Sequence, residues 1–364
     1  GVLFAHIGDR IGRKKTLVLT LSLMGGATVM IGLLPTYEMI GLWAPALLIL
    51  MRIIQGMGIG GEWGGALLLA YEYAPEKRKG FFGSIPQAGV TIGMLLATFI
   101  VSLMTLFSEE DFLSWGWRIP FLFGCLIVPF IFFLRRKLEE TEEFSARRQH
   151  LEMRQVFKTL LGNWQVVVAG MLMVAMTTTA FYLITVYAPT FGKKVLMLSA
   201  SDSLLVTLLV AISNFIWLPV GGALSDRFGR KPVLIAMALL ALATSYPALT
   251  LLASAPSFSM MLIVLLWLSF LYGLYNGAMI PALTEIMPAE VRVAGFSLAY
   301  SRATAVFGGF TPVMSTALIE YTGDKASPGY WMSFAAVCAL LATLYLYRRR
   351  AVSLQNTVKS QGAV

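Results

Sequence analysis

The chain carries the stretch Ser225-Asp226-Arg227-Phe228-Gly229-Arg230-Lys231 at the end of an apolar run. The same pattern, Gly8-Asp9-Arg10-Ile11-Gly12-Arg13-Lys14, occurs 217 residues earlier. Its glycine suits a tight turn, its Asp and Arg can clamp one helix end to a neighbouring helix, and its cations suit the inner face of a membrane. Two copies between apolar runs therefore predict a duplicated bundle of membrane helices around a site near the midplane.

The composition indicates a membrane protein. The chain is 57% hydrophobic and 13% charged, with a mean hydropathy of +0.75. A soluble domain cannot cover so much apolar surface, whereas in a bilayer an apolar run of about 20 residues satisfies its backbone as a helix. The net charge is +9, but the cations lie between apolar runs, so a nucleic-acid surface is not indicated. Cys125 and Cys338 lie inside such runs and indicate neither a disulfide nor a metal site.

Ten apolar stretches are long enough to be membrane helices. They are residues 16–35, 45–72, 81–107, 117–134, 164–188, 203–223, 233–253, 259–283, 293–319 and 329–347. Residues 163–225 precede the second motif and hold two of these helices, whereas eight residues precede Asp9. If the halves match, roughly 55 residues precede this chain in the whole protein. We expect an all-α bundle of two six-helix halves, N-terminally truncated here to about ten complete helices.

The halves are predicted at residues 1–134 and 164–347, with a tail at 348–364. The connecting residues 135–163 begin with the charged run Arg135-Arg136-Lys137-Leu138-Glu139-Glu140-Thr141. This connection is either an interfacial helix or a solvated linker.

The cations predict the orientation. Of the 28 Lys and Arg residues, 22 fall in loops and ends that share a side with the repeated motif. Because cytoplasmic loops carry an excess of Lys and Arg, the motif side is predicted to be cytoplasmic. The same holds for both ends of the full-length protein.

Two charged residues stand inside the second predicted span. Arg52 is costly in hydrocarbon, so it faces either a cavity or a carboxylate, unless it snorkels to the interface. Glu62 lies ten residues further on, among glycines that suit close helix packing. Because a desolvated carboxyl group holds its proton more readily, Glu62 is a candidate proton carrier; the alternative is a fixed partner for Arg52 or another residue.

In the second half, Arg302 falls about ten residues into its span, where an arginine is most costly. It binds an anion, pairs with a carboxylate, or has no function. Neutral polar residues of the same half converge on a plausible cavity: Thr177, Thr178, Thr179, Tyr182, Tyr187, Asn214, Tyr272, Tyr275 and Asn276. Neutral donors beside an arginine suit carboxylate groups, although a single Thr more often serves helix packing.

The sequence contains no motif that indicates an enzymatic or an ATP-driven mechanism. There is no phosphate-binding loop and no His-Glu-x-x-His, and the two histidines, His6 and His150, lie near the motif side. We therefore expect a carrier that is not an enzyme, needs no cofactor or metal, and draws on an ion gradient for uphill transport.

The repeated motifs, together with Arg52-x-x-Gln55-Gly56, resemble signatures of the major facilitator superfamily. Trp115-Gly116-Trp117-Arg118-Ile119-Pro120-Phe121 and Leu134-Arg135-Arg136-Lys137-Leu138-Glu139-Glu140-Thr141 resemble its metabolite:proton symporter group. From about residue 117 the chain resembles the citrate carriers of that group, notably at Met176-Thr177-Thr178-Thr179-Ala180-Phe181-Tyr182, Ser213-Asn214-Phe215-Ile216-Trp217-Leu218-Pro219 and Tyr321-Thr322-Gly323-Asp324-Lys325. Gly60-Gly61-Glu62-Trp63-Gly64-Gly65 and Gly83-Ser84-Ile85-Pro86-Gln87-Ala88 resemble other branches.

The resemblance implies proton-coupled uptake of citrate or a related tricarboxylate across a bacterial inner membrane by a monomer without an obligate protein partner. The substrate-binding candidates are Arg52, Gln55, Thr178, Tyr182, Asn214, Tyr275, Asn276 and Arg302. The proton-coupling candidates are Glu62 and Arg52. The motif residues Asp9, Arg10, Gly12, Arg13, Asp226, Arg227, Gly229 and Arg230 are expected to act as gate latches.

Three alternatives remain open. The chain is a symporter for another metabolite, such as oxoglutarate or another dicarboxylate, shikimate, betaine or proline, or it is a channel, or it is a truncated or composite fragment that does not transport. The duplicated gate motif argues against a channel, which needs no latch that alternates between two states.

Overall fold

Long helices account for most of the chain in a computed structural model, which describes residues 13–104, 107–136, 153–287 and 292–361. No strand occurs within these ranges. Seven helical segments in them are long and apolar enough to cross a membrane, and Trp43–Gly58 is a shorter apolar helix. The predicted all-α membrane bundle is thereby confirmed.

The first part of the described chain holds four main helices joined by short helical turns. These helices are α1 Arg13–Leu33, α2 Trp43–Glu72, α3 Lys79–Met104 and α4 Gly124–Arg136. The turns are Tyr37–Ile40, Glu76–Arg78, Glu109–Ser114, Gly116–Arg118 and Ile119–Leu122. A short helix, α5 Met153–Gly162, precedes the second part.

The second part of the described chain consists mainly of long helices. They are α6 Trp164–Phe181, α7 Ala200–Phe228, α8 Arg230–Ser254, α9 Phe258–Ile286, α10 Arg292–Ala303, α11 Thr311–Thr322 and α12 Pro328–Gln361. The π-helical stretches Tyr182–Tyr187 and Phe191–Val195 extend α6, and Thr304–Gly309 joins α10 to α11. Eight of the ten predicted spans each overlap one main helix. The predicted span 117–134 covers two short turns and α4, and 293–319 covers α10, the π-helical stretch and α11.

Local chemistry sets where the helices begin and end. The Ser199 and Ser257 hydroxyl groups accept hydrogen bonds from the backbone N–H groups of Asp202 and Met260, and so cap the starts of α7 and α9. Gly229 separates α7 from α8 with φ +90°, in the left-handed region that favours glycine. The sharp turn predicted for the motif glycine is therefore present in the second copy.

The halves meet along α3, which packs against α7 and α9, and along α2, which contacts α10. Within the second half, α7 and α9 approach closely through glycines. A Cβ atom on Gly221 would lie 2.6 Å from the Leu274 Cα, and one on Gly277 would overlap the Leu218 carbonyl. Such small residues allow membrane helices to pack backbone to backbone.

Helix α5 covers part of the predicted connection between the halves. Its Val156 and Leu160 pack with Ala294 of α10, whereas Phe157 and Leu161 are exposed. The helical alternative for this connection thus holds over residues 153–162, and residues 137–152 lie outside the described residues.

Candidate functional site

The second motif copy closes one end of the bundle, here called the motif end, by capping a helix of the other half. Asp226, near the end of α7, accepts hydrogen bonds from the backbone N–H groups of Gly80 at 2.8 Å and Phe81 at 2.9 Å. These N–H groups belong to the first turn of α3, where the helix leaves its donors unpaired and its dipole favours an anion. One carboxylate therefore joins the two halves.

Arg230 extends this contact into a charged network. Its Nη1 lies 2.6 Å from Asp226 Oδ1, and its Nε lies 3.2 Å from Glu285 Oε1 on α9. The Tyr71 hydroxyl of α2 donates to Glu285 Oε1 at 3.4 Å, which adds a second bond between the halves. Arg350 of α12 also approaches Glu285, at 3.8 Å. The charged residues come from four helices, α7, α8, α9 and α12, and Tyr71 adds a fifth, α2.

Two glycines allow the close approach at this end. A Cβ atom on Gly80 would overlap the Gly222 carbonyl oxygen and lie 2.8 Å from Asp226 Oδ1. A Cβ atom on Gly222 would overlap the Gly80 backbone and lie 3.0 Å from the Phe81 Cα. The hydrogen bonds of Asp226 therefore depend on glycine at both positions.

The outer side of this contact borders an open pocket. This pocket of about 400 Å³ is lined by Lys77, Arg78, Phe81, Ala223, Asp226 and Arg227. The Arg230 and Asp226 side chains are still only 12% and 10% exposed. The ion pair is thus largely desolvated, which is the setting in which loss of one partner is costly.

The structure describes only some of the remaining candidate gate residues. Arg227 is exposed and its guanidinium lies 5.4 Å from the centroid of the Phe228 ring. Asp9, Arg10 and Gly12 lie outside the described residues, and Arg13 begins α1 with a side chain that is not described.

Deeper in the bundle, three buried polar side chains meet between the halves. Gln87 of α3 donates from Nε2 to the Tyr272 hydroxyl oxygen at 2.9 Å, and Asn276 donates to the same oxygen at 3.3 Å. Tyr272 stands at the midpoint of α9, Phe258–Ile286. Gln87, Tyr272 and Asn276 are 4%, 1% and 0% exposed. This group, called here the midplane cluster, lies between the two halves.

Aromatic rings surround the midplane cluster. Trp63 of α2 packs on Tyr300 of α10 with ring centroids 5.5 Å apart, which is another contact between the halves. Phe181, at the end of α6, lies 6.0 Å from the Tyr272 ring. The next residue, Tyr182, is half-buried, and a Cβ atom on Gly308 would lie 2.8 Å from its ring.

In the first half, the structure connects Arg52 and Gln55 to each other. Arg52 Nη1 donates to Gln55 Oε1 at 2.9 Å, and Gln55 Nε2 donates to the Thr28 hydroxyl of α1 at 2.6 Å. The Arg52 guanidinium is exposed and lies 5.9 Å from the Phe121 ring centroid. The side chain of Glu62 in α2 lies outside the described residues.

The other second-half candidates bond within their own half. The Thr178 hydroxyl group lies within hydrogen-bond distance of three backbone carbonyl groups, those of Val174, Ala175 and Ala303. Asn214 Oδ1 accepts from Ser269, and the Tyr275 hydroxyl donates to the Met173 carbonyl at 2.8 Å. The bonds of Thr178 suit the packing alternative left open for a single Thr.

Arg302 is exposed near the end of α10. The described contacts join Asn276 to Tyr272 but do not bring the candidate site residues together as one set.

Gln87 and the role of Tyr71 were missed by sequence reasoning. Gln87 is the one amide side chain in the apolar stretch 81–107, and an isolated amide at that depth is itself a sign of function or of a specific partner. Tyr71 carried no such sign, because a tyrosine near a helix end is common at a membrane interface.

Two helical halves that close on each other at one end, with polar groups buried between them, define a membrane transporter that works between its halves. The chain belongs to the Major Facilitator Superfamily, whose family model matches residues 1–301 and 196–362. The fold agrees: over 96% of this chain and 82% of the other, it superposes on a structure of the proton:xylose symporter XylE with a TM-score of 0.76 at 20% identity.

Two relatives are more similar to this chain in sequence than XylE is. The Citrate-proton symporter of Klebsiella pneumoniae is 72% identical over 356 residues, which are 98% of this chain and 80% of the relative. The Citrate-proton symporter of Salmonella typhi is 53% identical over 96% of this chain and 80% of its own length. The likeness to citrate carriers therefore includes the first third of the chain, where the motifs alone suggest other branches.

Proposed function

We propose that this chain is a secondary active transporter that takes up citrate or a related tricarboxylate together with protons. The observation that carries the proposal is the high identity to citrate–proton symporters, which extends over both halves and thus over both walls of the site. The buried polar groups between the halves are consistent with this function, because a charged hydrophilic substrate needs polar partners wherever it leaves water.

Transport proceeds by alternating access in this proposal. The contacts of Asp226, Arg230 and Glu285 hold the motif end closed, so that the site opens toward the opposite side. Release of substrate on the motif side requires these bonds to break. These bonds hold the protein in one of its two states. They therefore govern the rate of conversion between the states more than the affinity for substrate.

Citrate carries several negative charges at neutral pH, so its site needs positive charge. Arg52 and Arg302 are the proposed countercharges, since a guanidinium binds a carboxylate with two parallel hydrogen bonds. Gln55 orients Arg52 through the hydrogen bond between them. Glu62 is the proposed proton carrier, with Arg52 as the partner that responds to its charge.

The proposed location is a bacterial inner membrane, with the motif end and both ends of the full-length protein in the cytoplasm. The clustering of cations on the motif side supports this orientation. The proposed carrier is a monomer that uses lipid, citrate and protons as its partners and performs no chemical conversion.

The test is uptake of labelled citrate into vesicles that contain the full-length gene product, with and without an imposed pH gradient. We expect saturable uptake that rises with an inward proton gradient and falls when a protonophore collapses it. Citrate uptake that does not depend on the pH gradient would refute proton coupling. If citrate is not taken up, uptake of labelled shikimate, oxoglutarate and betaine by the same vesicles identifies the substrate. The 364-residue chain, assayed in parallel, shows whether it transports by itself.

A further inference from the structure

The midplane cluster contains two buried oxygen atoms that have no partner in the protein. Gln87 and Asn276 each donate from the amide nitrogen to Tyr272, while Gln87 Oε1 and Asn276 Oδ1 accept no hydrogen bond. Both atoms are inaccessible to solvent. The two amides come from different halves of the bundle, α3 and α9.

Such atoms are costly in a folded protein. A buried acceptor without a donor destabilises a structure by about 1–3 kcal/mol, and native proteins contain few of them. Here two such oxygen atoms belong to amide groups that bond to the same Tyr272 hydroxyl group, at the interface between the two halves. An arrangement of this kind is explained if a ligand supplies the missing donors in another state of the transport cycle.

The chemistry of the orphaned atoms selects the donor. An amide oxygen accepts a hydrogen bond from O–H or N–H and repels a carboxylate, which carries acceptors only. The carboxylates of a tricarboxylate therefore suit arginine, and its neutral hydroxyl group suits a neutral amide oxygen. A site built to pair a hydroxyl group rejects the analogue that lacks it, since its own polar atoms are then left unpaired.

We propose that Gln87 and Asn276 recognise the hydroxyl group of a hydroxy-tricarboxylate, and that Tyr272 is a positioning residue that orients both amides. The inference deepens the proposed function and rests on it. In the state described here, the halves are closed on each other and the amides bond to Tyr272. When the halves part around a substrate, its hydroxyl group donates its one proton to Gln87 Oε1 and accepts a hydrogen bond from the Asn276 amide nitrogen. The Tyr272 hydroxyl group is then free to donate to Asn276 Oδ1.

The experiment compares citrate with tricarballylate, which has the same three carboxylates and no hydroxyl group. Competition against labelled citrate uptake by the full-length protein gives an inhibition constant for each. We expect wild type to prefer citrate by about tenfold, equivalent to one buried hydrogen bond. In Gln87→Met, which keeps the length of the side chain, and in Asn276→Leu, this preference is expected to fall to about twofold or less, with tricarballylate binding nearly unchanged.

Gln165→Met is the matched control. Gln165 lies in the first turn of α6, is exposed, and accepts hydrogen bonds from Tyr345 and Arg349 outside the interface between the halves. Its loss should leave the citrate preference at the wild-type value. Tyr272→Phe should lower the preference while retaining uptake, because both amides lose the hydroxyl group that orients them.

The outcomes separate this inference from the proposed function. Absence of citrate uptake by wild type refutes the proposed function itself. Citrate uptake without preference over tricarballylate, or an unchanged preference in Gln87→Met and Asn276→Leu, overturns the hydroxyl assignment and leaves the function intact. If either Gln87→Met or Asn276→Leu does not reach the membrane, the other variant gives the same comparison. Thermal stabilisation of the purified protein by citrate and by tricarballylate gives an independent measure of binding.

Discussion

Asp226 accepts a 2.8 Å hydrogen bond from the backbone N–H of Gly80, so a side chain of the second half caps a helix of the first. The same carboxylate holds Arg230, which in turn reaches Glu285. A helix cap normally belongs to its own helix. Here the cap exists only while the halves are together, and the closed state thereby gains both a charged hydrogen bond and an ion pair.

The first prediction concerns the charge of Asp226. Asp226→Asn removes the anion from the start of α3 and leaves the Arg230 guanidinium without its carboxylate, which should favour opening by about 2–3 kcal/mol. A Ser84→Cys reporter, buried in α3 one turn from Gly80, should then react with maleimide at least tenfold faster from the motif side. The reporter needs a background in which Cys125 and Cys338 are replaced.

Asp202→Asn is the control for this variant, since Asp202 stands at the opposite end of the same helix, α7. It should leave the labelling rate unchanged. Slow labelling in Asp226→Asn, equal to that of the parent, would show that the cap does not hold the motif end closed.

The second prediction concerns the approach of two backbones. A Cβ atom on Gly222 would overlap Gly80, so Gly222→Ala should prevent the motif end from closing. We expect citrate uptake to fall at least tenfold, with normal amounts of protein in the membrane. Gly89→Ala on α3, where a Cβ atom meets nothing within 4 Å, should transport like wild type. Equal activity of the two variants would exclude the glycine contact from the cycle.

The third prediction concerns the coupling of Arg230 to Glu285, whose nitrogen and oxygen lie 3.2 Å apart. A double-mutant cycle of Arg230→Gln and Glu285→Gln, measured as thermal unfolding of purified protein, should give a coupling free energy of about 1–2 kcal/mol. Tyr71→Phe should add a smaller loss that depends on Glu285, because the 3.4 Å hydrogen bond is weak. Strictly additive effects would mean that the pair makes no energetic contribution.

The helices and the motif turn could be predicted from the sequence, whereas the partners of most polar residues could not. Apolar runs and the repeated glycine motif are local signals, and they led to the ten spans and to the turn at Gly229. Spans that are apolar on all sides, as membrane helices are, carry no periodicity that tells which face meets a neighbour. Hence the sequence could not show that Asn214 and Tyr275 bond inside their own half, or that Gln87 meets Tyr272.

The contacts at the motif end show the same limit of prediction from sequence. The motif predicted that Asp226 and Arg230 clamp a helix end. In the structure Asp226 caps α3 and Arg230 binds Asp226, and their role as gate latches stays a prediction. That the helix belongs to the other half, and that Glu285 completes the network, depends on contacts between residues more than 50 positions apart. Such contacts are fixed by the packing of whole helices and not by local sequence.

The last prediction concerns the two arginines proposed as countercharges, Arg52 and Arg302, both of which are exposed. If they are countercharges for the substrate, Arg302→Leu and Arg52→Leu should each raise the KM for citrate about tenfold or more, since each removes a pairing with a carboxylate. Arg302→Lys keeps the charge without the planar fork and should lie between wild type and Arg302→Leu. Lys325→Gln, at an exposed position between α11 and α12, is the control and should leave the KM unchanged. The measurement is the concentration dependence of uptake at fixed pH gradient. A normal KM in Arg302→Leu would remove that residue from the site, and a lower maximal rate at normal KM would instead place it in the movement of the halves.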